Sequence, residues 1–192
     1  PDGLVAAVAD ARTLEAAGAA ILAPLADGRL PAPWAGAAVL DGNLTEALLV
    51  ELGASALLSA ADLRLAPASP GKAQRLAPLI RRTGAVPYLN RSEAGLILGS
   101  AFPDAATAAE ALVAAGAARA LVTDGAAGAA DAARGAPTLA LPAPPVVARR
   151  VTGAGDTFLA AHLAAETRGL DRAAALVAAI AAAARFVAGD DP

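Results

Sequence analysis

Val151-Thr152-Gly153-Ala154-Gly155-Asp156-Thr157-Phe158 is the stretch on which the fold turns. Two glycines and an alanine let the backbone turn sharply and bring its N–H groups close to a ligand. The residues that follow predict a helix from about Asp156 to Arg168, whose N-terminus points back at the same turn. Exposed amides and the helix dipole together make a site for an anion. Asp156 stands at the helix start, where a carboxylate can take the proton of a hydroxyl that attacks phosphorus. On these residues alone, a plain glycine turn with Asp156 as a helix cap is an equal alternative.

Outward from this stretch, short apolar runs alternate with helical ones. Strands are expected at Leu4–Ala9, Ala37–Leu40, Leu63–Ala66, Val86–Leu89 and Ala120–Thr123, with a strand pair inside 129–148. Helices are expected over 13–25, over Thr45–Leu52 with Thr45 as cap, and over Ser69–Arg82 with Pro70 in the first turn. Three more follow: Ser92–Leu98 ended by Gly99, Asp104–Ala115 with Gly116 behind it, and a last helix capped by Asp171 and running to about Val187. This alternation predicts an α/β fold with a mostly parallel sheet, right-handed crossovers placing helices on both faces, and ligands at the carboxyl ends of the strands. No repeat or linker divides the chain. The Pro-rich stretch 137–145 is too short for one, so residues 1–192 are expected to form a single domain.

Composition narrows the function. Hydrophobic residues make up 57% of the chain but aromatics only 3%, because alanine supplies the excess, which suits helices packed close on a sheet. The net charge of −3, without clustered Lys and Arg, argues against a nucleic-acid polymer as partner. With no cysteine there is no disulfide framework or thiolate site, and the lone His162 excludes a multi-histidine metal site. The apolar run Ala173–Ala184 has 12 residues, shorter than a membrane span, so no membrane partner is expected. A cytoplasmic protein fits these features. The chain opens on Pro1-Asp2-Gly3 without Met and is expected to start inside a longer protein.

Two further segments carry chemistry. In Asn90-Arg91-Ser92-Glu93, Asn and Glu at i and i+3 share one side of a helix start. They suit the hydration shell of Mg²⁺, and equally a capping box. In Thr123-Asp124-Gly125-Ala126-Ala127-Gly128 a strand runs into Thr-x-Gly-x-x-Gly, which offers a nucleotide a hydroxyl and open backbone, or makes a tight turn. His162 reads as a surface or satisfied histidine and Trp34 as a packing plug.

Val-Thr-Gly-Ala-Gly-Asp-Thr-Phe resembles the C-terminal motif of the ribokinase (PfkB) family, commonly Asp-Thr-x-Gly-Ala-Gly-Asp; Asn-x-x-Glu and Thr-x-Gly-x-x-Gly resemble that family's motifs at corresponding places. The resemblance spans about residues 1–188 and implies a three-layer ribokinase-like (Rossmann-like) α/β fold that is N-terminally incomplete. By it, Asp156 is the catalytic base and the amides of Gly153, Ala154 and Gly155 form the anion hole. Thr123, Gly125, Gly128 and Thr152 line the ATP site, and Asn90 and Glu93 position Mg²⁺ and phosphate, with no protein side chain assigned as a direct metal ligand. Arg150 stands where the family often has Asp or Asn tied to a monovalent-cation site, which counts against such a site here. Asp124 stands where the family tends to be apolar.

Asp41-Gly42-Asn43-Leu44 and Pro67-x-Ser69-x-x-Lys72, together with Val5–Asp10 and Val151, resemble the pseudouridine-kinase branch, although Ala66 replaces its usual Asp. Lys72 and Asn43 then become candidates for phosphate or substrate contact, with a solvated helix lysine as the alternative for Lys72. Residues 1–10 would belong to a β lid. The implied activity is ATP- and Mg²⁺-dependent phosphorylation of a sugar or nucleoside hydroxyl, pseudouridine foremost, with a homodimer left open. The rival is a non-catalytic nucleotide-binding or assembly module. A dinucleotide-binding oxidoreductase is disfavoured, because no G-x-G-x-x-G follows the first strand.

Overall fold

The computed structural model describes residues 10–82 and 84–189. The strand expected at Leu4–Ala9 and nearly all of the lid segment lie outside these residues. Six strands form one sheet in the order β1-β2-β3-β4-β5-β6. β1 (Ala37–Asp41), β2 (Asp62–Ala66), β3 (Val86–Asn90) and β4 (Arg119–Thr123) run parallel. β5 (Ala129–Ala133) and β6 (Ala136–Leu141) run antiparallel to their neighbours, so the sheet is mixed. Connection length decides direction. The parallel pairs are joined through helical segments, whereas β4 to β5 crosses only Asp124–Gly128 and β5 to β6 only Arg134-Gly135, too little chain for a crossover.

The helices are α1 (Arg12–Ala17), α2 (Ala23–Ala26), α3 (Glu46–Gly53), α4 (Ala77–Arg82), α5 (Arg91–Leu98), α6 (Ala105–Ala114), α7 (Ala154–Thr167) and α8 (Arg172–Ala188). Several starts are fixed by side-chain caps of about 1 kcal/mol each. The Leu48 amide donates to Thr45 Oγ1 (3.2 Å), the Thr107 amide to Asp104 Oδ1 (2.8 Å), and the Ala174 amide to Asp171 Oδ1 (2.8 Å). Two expected helices are broken. Over 13–25, Gly18 turns to φ 52 and the chain continues as a 3₁₀ segment, Gly18–Leu22, before α2. Over 69–82, Pro70–Leu76 is 3₁₀ and α4 begins just ahead of Pro78, because a proline lacks the N–H that a helix interior requires.

Successive strand residues point to opposite faces. Leu63, Leu65, Leu89 and Val122 face one core, filled by α3, α4, α5 and α6. Val86, Tyr88, Leu121 and Ala129 face a smaller second core, filled by Phe158 and Leu159 of α7 and Leu176, Ala179 and Ile180 of α8. The crossover helices therefore share one face instead of dividing between two. The reason is the strand order, which never reverses, so same-handed crossovers return to the same side. The opposite face is covered by the two C-terminal helices. Trp34 packs on the first core and donates Nε1–H to Ala37 O (3.1 Å).

Beneath the C-terminal half of α7 the second face carries charge. Arg64 of β2 pairs with Asp62 and Glu166, and Arg119 of β4 pairs with Asp131 and Glu166. Arg172 of α8 pairs with Asp131, which is fully buried. His162, also fully buried, sits among them. An arginine can only donate, so His162 Nε2 accepts from Arg119 Nη2 (3.2 Å) and the ring carries its proton on Nδ1, which donates to Tyr88 Oη (2.9 Å). Tyr88 Oη also accepts from Arg64 Nη1 (2.8 Å). Burial pushes the Tyr88 phenol up to about 12.

Burial pushes His162 down to about 4, the Glu166 charge opposing the shift and Arg119 adding to it. The unfolded chain takes up this proton near the ordinary histidine value of 6.5, whereas the folded chain stays neutral to about 4. Stability is therefore expected to fall as pH drops through that window, by roughly 2 kcal/mol between pH 7 and pH 5. Urea unfolding at both pH values measures the loss. In His162→Gln this share of the pH dependence is expected to vanish, and an unchanged slope would contradict the assignment.

Candidate functional site

The parallel strands end on one edge of the sheet, and the motif residues gather there. Asn90 at the end of β3 is in register with Thr123 at the end of β4. Thr123 leads into the turn holding Gly125 and Gly128. Gly128 has φ 109, and a side chain there would strike the backbone at Leu141 O and Pro142, so this glycine is required by close approach of the chain after β6. Above the edge lies a cavity of ≈ 570 Å³ lined by Thr123, Gly125 and Gly128 and by Ala154 and Gly155 of α7.

The α7 helix begins at Ala154, two residues earlier than expected, with Gly153 (φ 94) as its N-cap. Asp156 is thus the third helical residue, and it is exposed. The Ala154 amide donates to Val151 O (3.1 Å). The next two amides, those of Gly155 and Asp156, lie in the first turn, where a helix supplies no acceptor, and Gly153 brings no side-chain cap. A side chain at Gly155 would meet nothing within 4 Å, so the surface of this turn is uncrowded there. Thr152 lies exposed in the turn just ahead.

The loop is strapped to the end of α8. The amides of Arg149 and Arg150 donate to Val187 O (2.8 and 3.2 Å). The Arg150 guanidinium lies 3.8 Å from the centre of the Phe186 ring, and its Nε donates to Phe186 O (2.9 Å). The same ring crowds Gly153, where a Cβ would come within 2.9 Å of it. Arg150, which departs from the family motif, thus anchors the turn to a helix C-terminus, the end a cation favours.

Asn90 and Glu93 form a capping box. The Glu93 amide donates to Asn90 Oδ1 (2.9 Å), and the Asn90 amide donates to Glu93 Oε2 (2.8 Å). Burial pushes the Glu93 carboxyl up, the Asn90 amide opposes this, and the negative charge of Asp156 adds to the rise. The two carboxylates therefore share one electrostatic neighbourhood. Asp124 pairs with Arg91 (2.9 Å), whose Nη1 donates to Phe102 O (2.7 Å), so its charge ties the Thr123–Gly128 turn to the start of α5. Asn43 and Lys72 lie away from the cavity, at the end of β1. Lys72 Nζ donates to Asn43 Oδ1 (2.8 Å), and the Asn43 amide donates to Asp41 Oδ1 (2.8 Å).

The remaining cavity walls escaped the sequence reading. They come from the segment after β6, including Pro144, Pro145 and Val146, and from Ile180, Ala183, Ala184 and Val187 of α8. The α8 residues form an i, i+3, i+4, i+7 stripe in the sequence, but such a stripe also describes an ordinary core face. Among the described residues no three or more His, Asp or Glu side chains cluster as a metal site, and no helix is long and apolar enough to cross a membrane.

Residues 34–189 match the model of the pfkB family carbohydrate kinases. No curated protein matches the chain significantly. Among solved structures it is similar to a carbohydrate kinase from Agrobacterium tumefaciens, with 26% identity and a TM-score of 0.74 over 98% of this chain and 61% of that one. It is also similar to an Arabidopsis thaliana ribokinase complexed with ribose and ATP, at 23% identity, TM-score 0.65, and 79% and 49% coverage. An adenosine kinase from Sinorhizobium meliloti matches at 21% identity, TM-score 0.66, and 79% and 48% coverage. The chain thus has the ribokinase-like α/β fold and spans about three fifths of the Agrobacterium protein.

Two substitutions test this geometry. Gly153→Ala must accommodate a positive φ and the Phe186 ring, and is expected to cost about 1–3 kcal/mol in urea unfolding. Glu93→Gln keeps an acceptor at the third helical position. Because burial holds the Glu93 carboxyl above the ordinary glutamate value of 4.5, its ionisation destabilises the fold at higher pH. Glu93→Gln is therefore expected to be at least as stable as the parent at pH 7 and to lose that advantage near pH 4.

Proposed function

The chain belongs to the pfkB carbohydrate kinase family, and from that premise we propose that it carries the nucleotide-binding and phosphoryl-transfer part of an ATP-dependent kinase acting on a hydroxyl of a sugar or nucleoside. One observation carries the reading: the first turn of α7, with Gly155 and Asp156, opens beside a cavity that also meets Thr123, Gly125 and Gly128. The whole chain is taken as one α/β unit of a cytoplasmic enzyme.

Asp156 is the base. Its exposed carboxylate accepts the proton of the acceptor hydroxyl as that oxygen bonds to the γ-phosphorus and the bond to the β-γ bridging oxygen breaks. The Gly153-Ala154-Gly155 turn is the anion hole, served chiefly by the Gly155 amide, for which the helix supplies no acceptor, because the Ala154 amide already donates to Val151 O; the helix dipole lies behind it. Thr152 and Thr123 flank the phosphates. Magnesium, when bound, would supply positive charge to the phosphate oxygens. Asn90 and Glu93, together at the start of α5, are the residues that would orient its water shell. Glu93 is suited to this because it already senses the charge of Asp156, which a cation would offset.

For the acceptor we propose a nucleoside of the pseudouridine type. The support is that two segments resembling that branch meet: Asn43 and Lys72, far apart in sequence, are hydrogen-bonded at the end of β1. A second reading, a nucleotide-binding module without turnover, is favoured by the capping box, which already employs both Asn90 and Glu93. One variant separates the two. Asp156→Asn is expected to lower kcat at least a thousandfold on pseudouridine or a ribose panel while Mg-ATP affinity by calorimetry changes less than threefold. Unchanged turnover would remove Asp156 as the base, and nucleotide binding without turnover in the full-length protein would favour the module.

A further inference from the structure

We propose that the donor site does not discriminate among nucleobases: it takes the triphosphates of guanine, hypoxanthine and cytosine about as well as that of adenine. This rests on the reading of the cavity as the donor nucleotide's site. Its long walls are aliphatic. On one side the stripe Ile180, Ala183, Ala184 and Val187 of α8 faces inward, and on the other stands the segment with Pro144, Pro145 and Val146. Among the lining residues Thr123 alone has a polar side chain, and it stands at the end of β4 in register with Asn90, on the side of the candidate phosphate groups.

Part of one wall has no backbone donor. Pro142, Pro144 and Pro145 carry no N–H, so the wall after β6 is poor in donors. Nearby charges are engaged elsewhere: Asp124 on Arg91, and Arg150 on Phe186. Adenine, guanine and hypoxanthine differ in the donors and acceptors on their edges and hardly in apolar area. A site built to hydrogen-bond one pattern rejects the others by roughly 10⁴–10⁵, whereas an apolar pocket discriminates weakly, by about 10² at most. The ≈ 570 Å³ volume does not impose a size limit between purines, since it lies within the usual range for small-molecule sites.

Calorimetry on this chain decides, with Mg-ATP, Mg-GTP, Mg-ITP, Mg-CTP and Mg-tripolyphosphate as separate titrants. The four nucleotides are expected to bind within tenfold of one another, and tripolyphosphate at least tenfold more weakly than any of them. A preference for ATP of more than tenfold over GTP, or tripolyphosphate binding as tightly as ATP, overturns the proposal. Absence of binding by every nucleotide overturns the donor-site reading as well, so the two failures are distinct. Ala183→Phe, which fills the stripe, is expected to weaken all four nucleotides in parallel and to leave tripolyphosphate unchanged. Loss of ATP alone would contradict the inference. If that variant does not fold, the series on the parent chain still decides.

Discussion

The buried charges under α7 are the constraint on which the site depends. The apolar core on that face is small, and α7 contributes chiefly Phe158 and Leu159 to it. What fixes the helix lengthwise is Glu166, held between Arg64 and Arg119, with His162 one turn earlier between Tyr88 and Arg119. A slip of one residue would turn the helix by about 100° and shift it about 1.5 Å. Arg64 and Arg119 would stay largely buried while Glu166, a partner of both, left them, and a buried charge that loses a partner costs several kcal/mol. Although burial opposes its ionisation, the Arg119 hydrogen bond holds the Glu166 carboxyl below the usual range, so the pairing persists at neutral pH. The register set at this end of α7 carries about ten residues along to Gly155 and Asp156.

The sheet supplies the other half of the placement. Because its parallel strands follow one another without reversal, all crossover helices lie on one face and the other is left to the last two helices. The chain must travel out along β5 and β6 before it can return as α7, and the segment that makes the return is also a wall of the cavity. Alanines permit the approach. Ala175 and Ala179 of α8 are fully buried, and larger residues there would lift the helix off the sheet.

Local signals were legible in the sequence, and distant pairings were not. Thr45, Asp104 and Asp171 announce their helices because a cap acts within three residues. The partners Arg64, Tyr88 and His162 come from elements far apart, and each on its own looks like an ordinary polar residue. Asp124 seems misplaced until Arg91 is seen beside it. Asn90 and Glu93 show a different limit: a capping box and a water-shell pair require the same spacing, so spacing alone could not choose between them. The early start of α7 was hidden because Gly155 is a poor helix former, and only the geometry at Gly153 shows that the helix already includes it.

The prolines that follow β6 bear on thermodynamics as well as shape. With Pro142, Pro144 and Pro145 the wall has few conformations to lose, even though it lies at the surface outside regular secondary structure. A guest entering the cavity meets a surface ordered in advance, so little of its gain is spent on stiffening the host. Burial of apolar area in such a preformed space should register as a negative heat-capacity change. Affinity there is set by how much surface leaves water and how rigid the receiving walls already are, and the chain secures the second of these with ring closures in its own backbone.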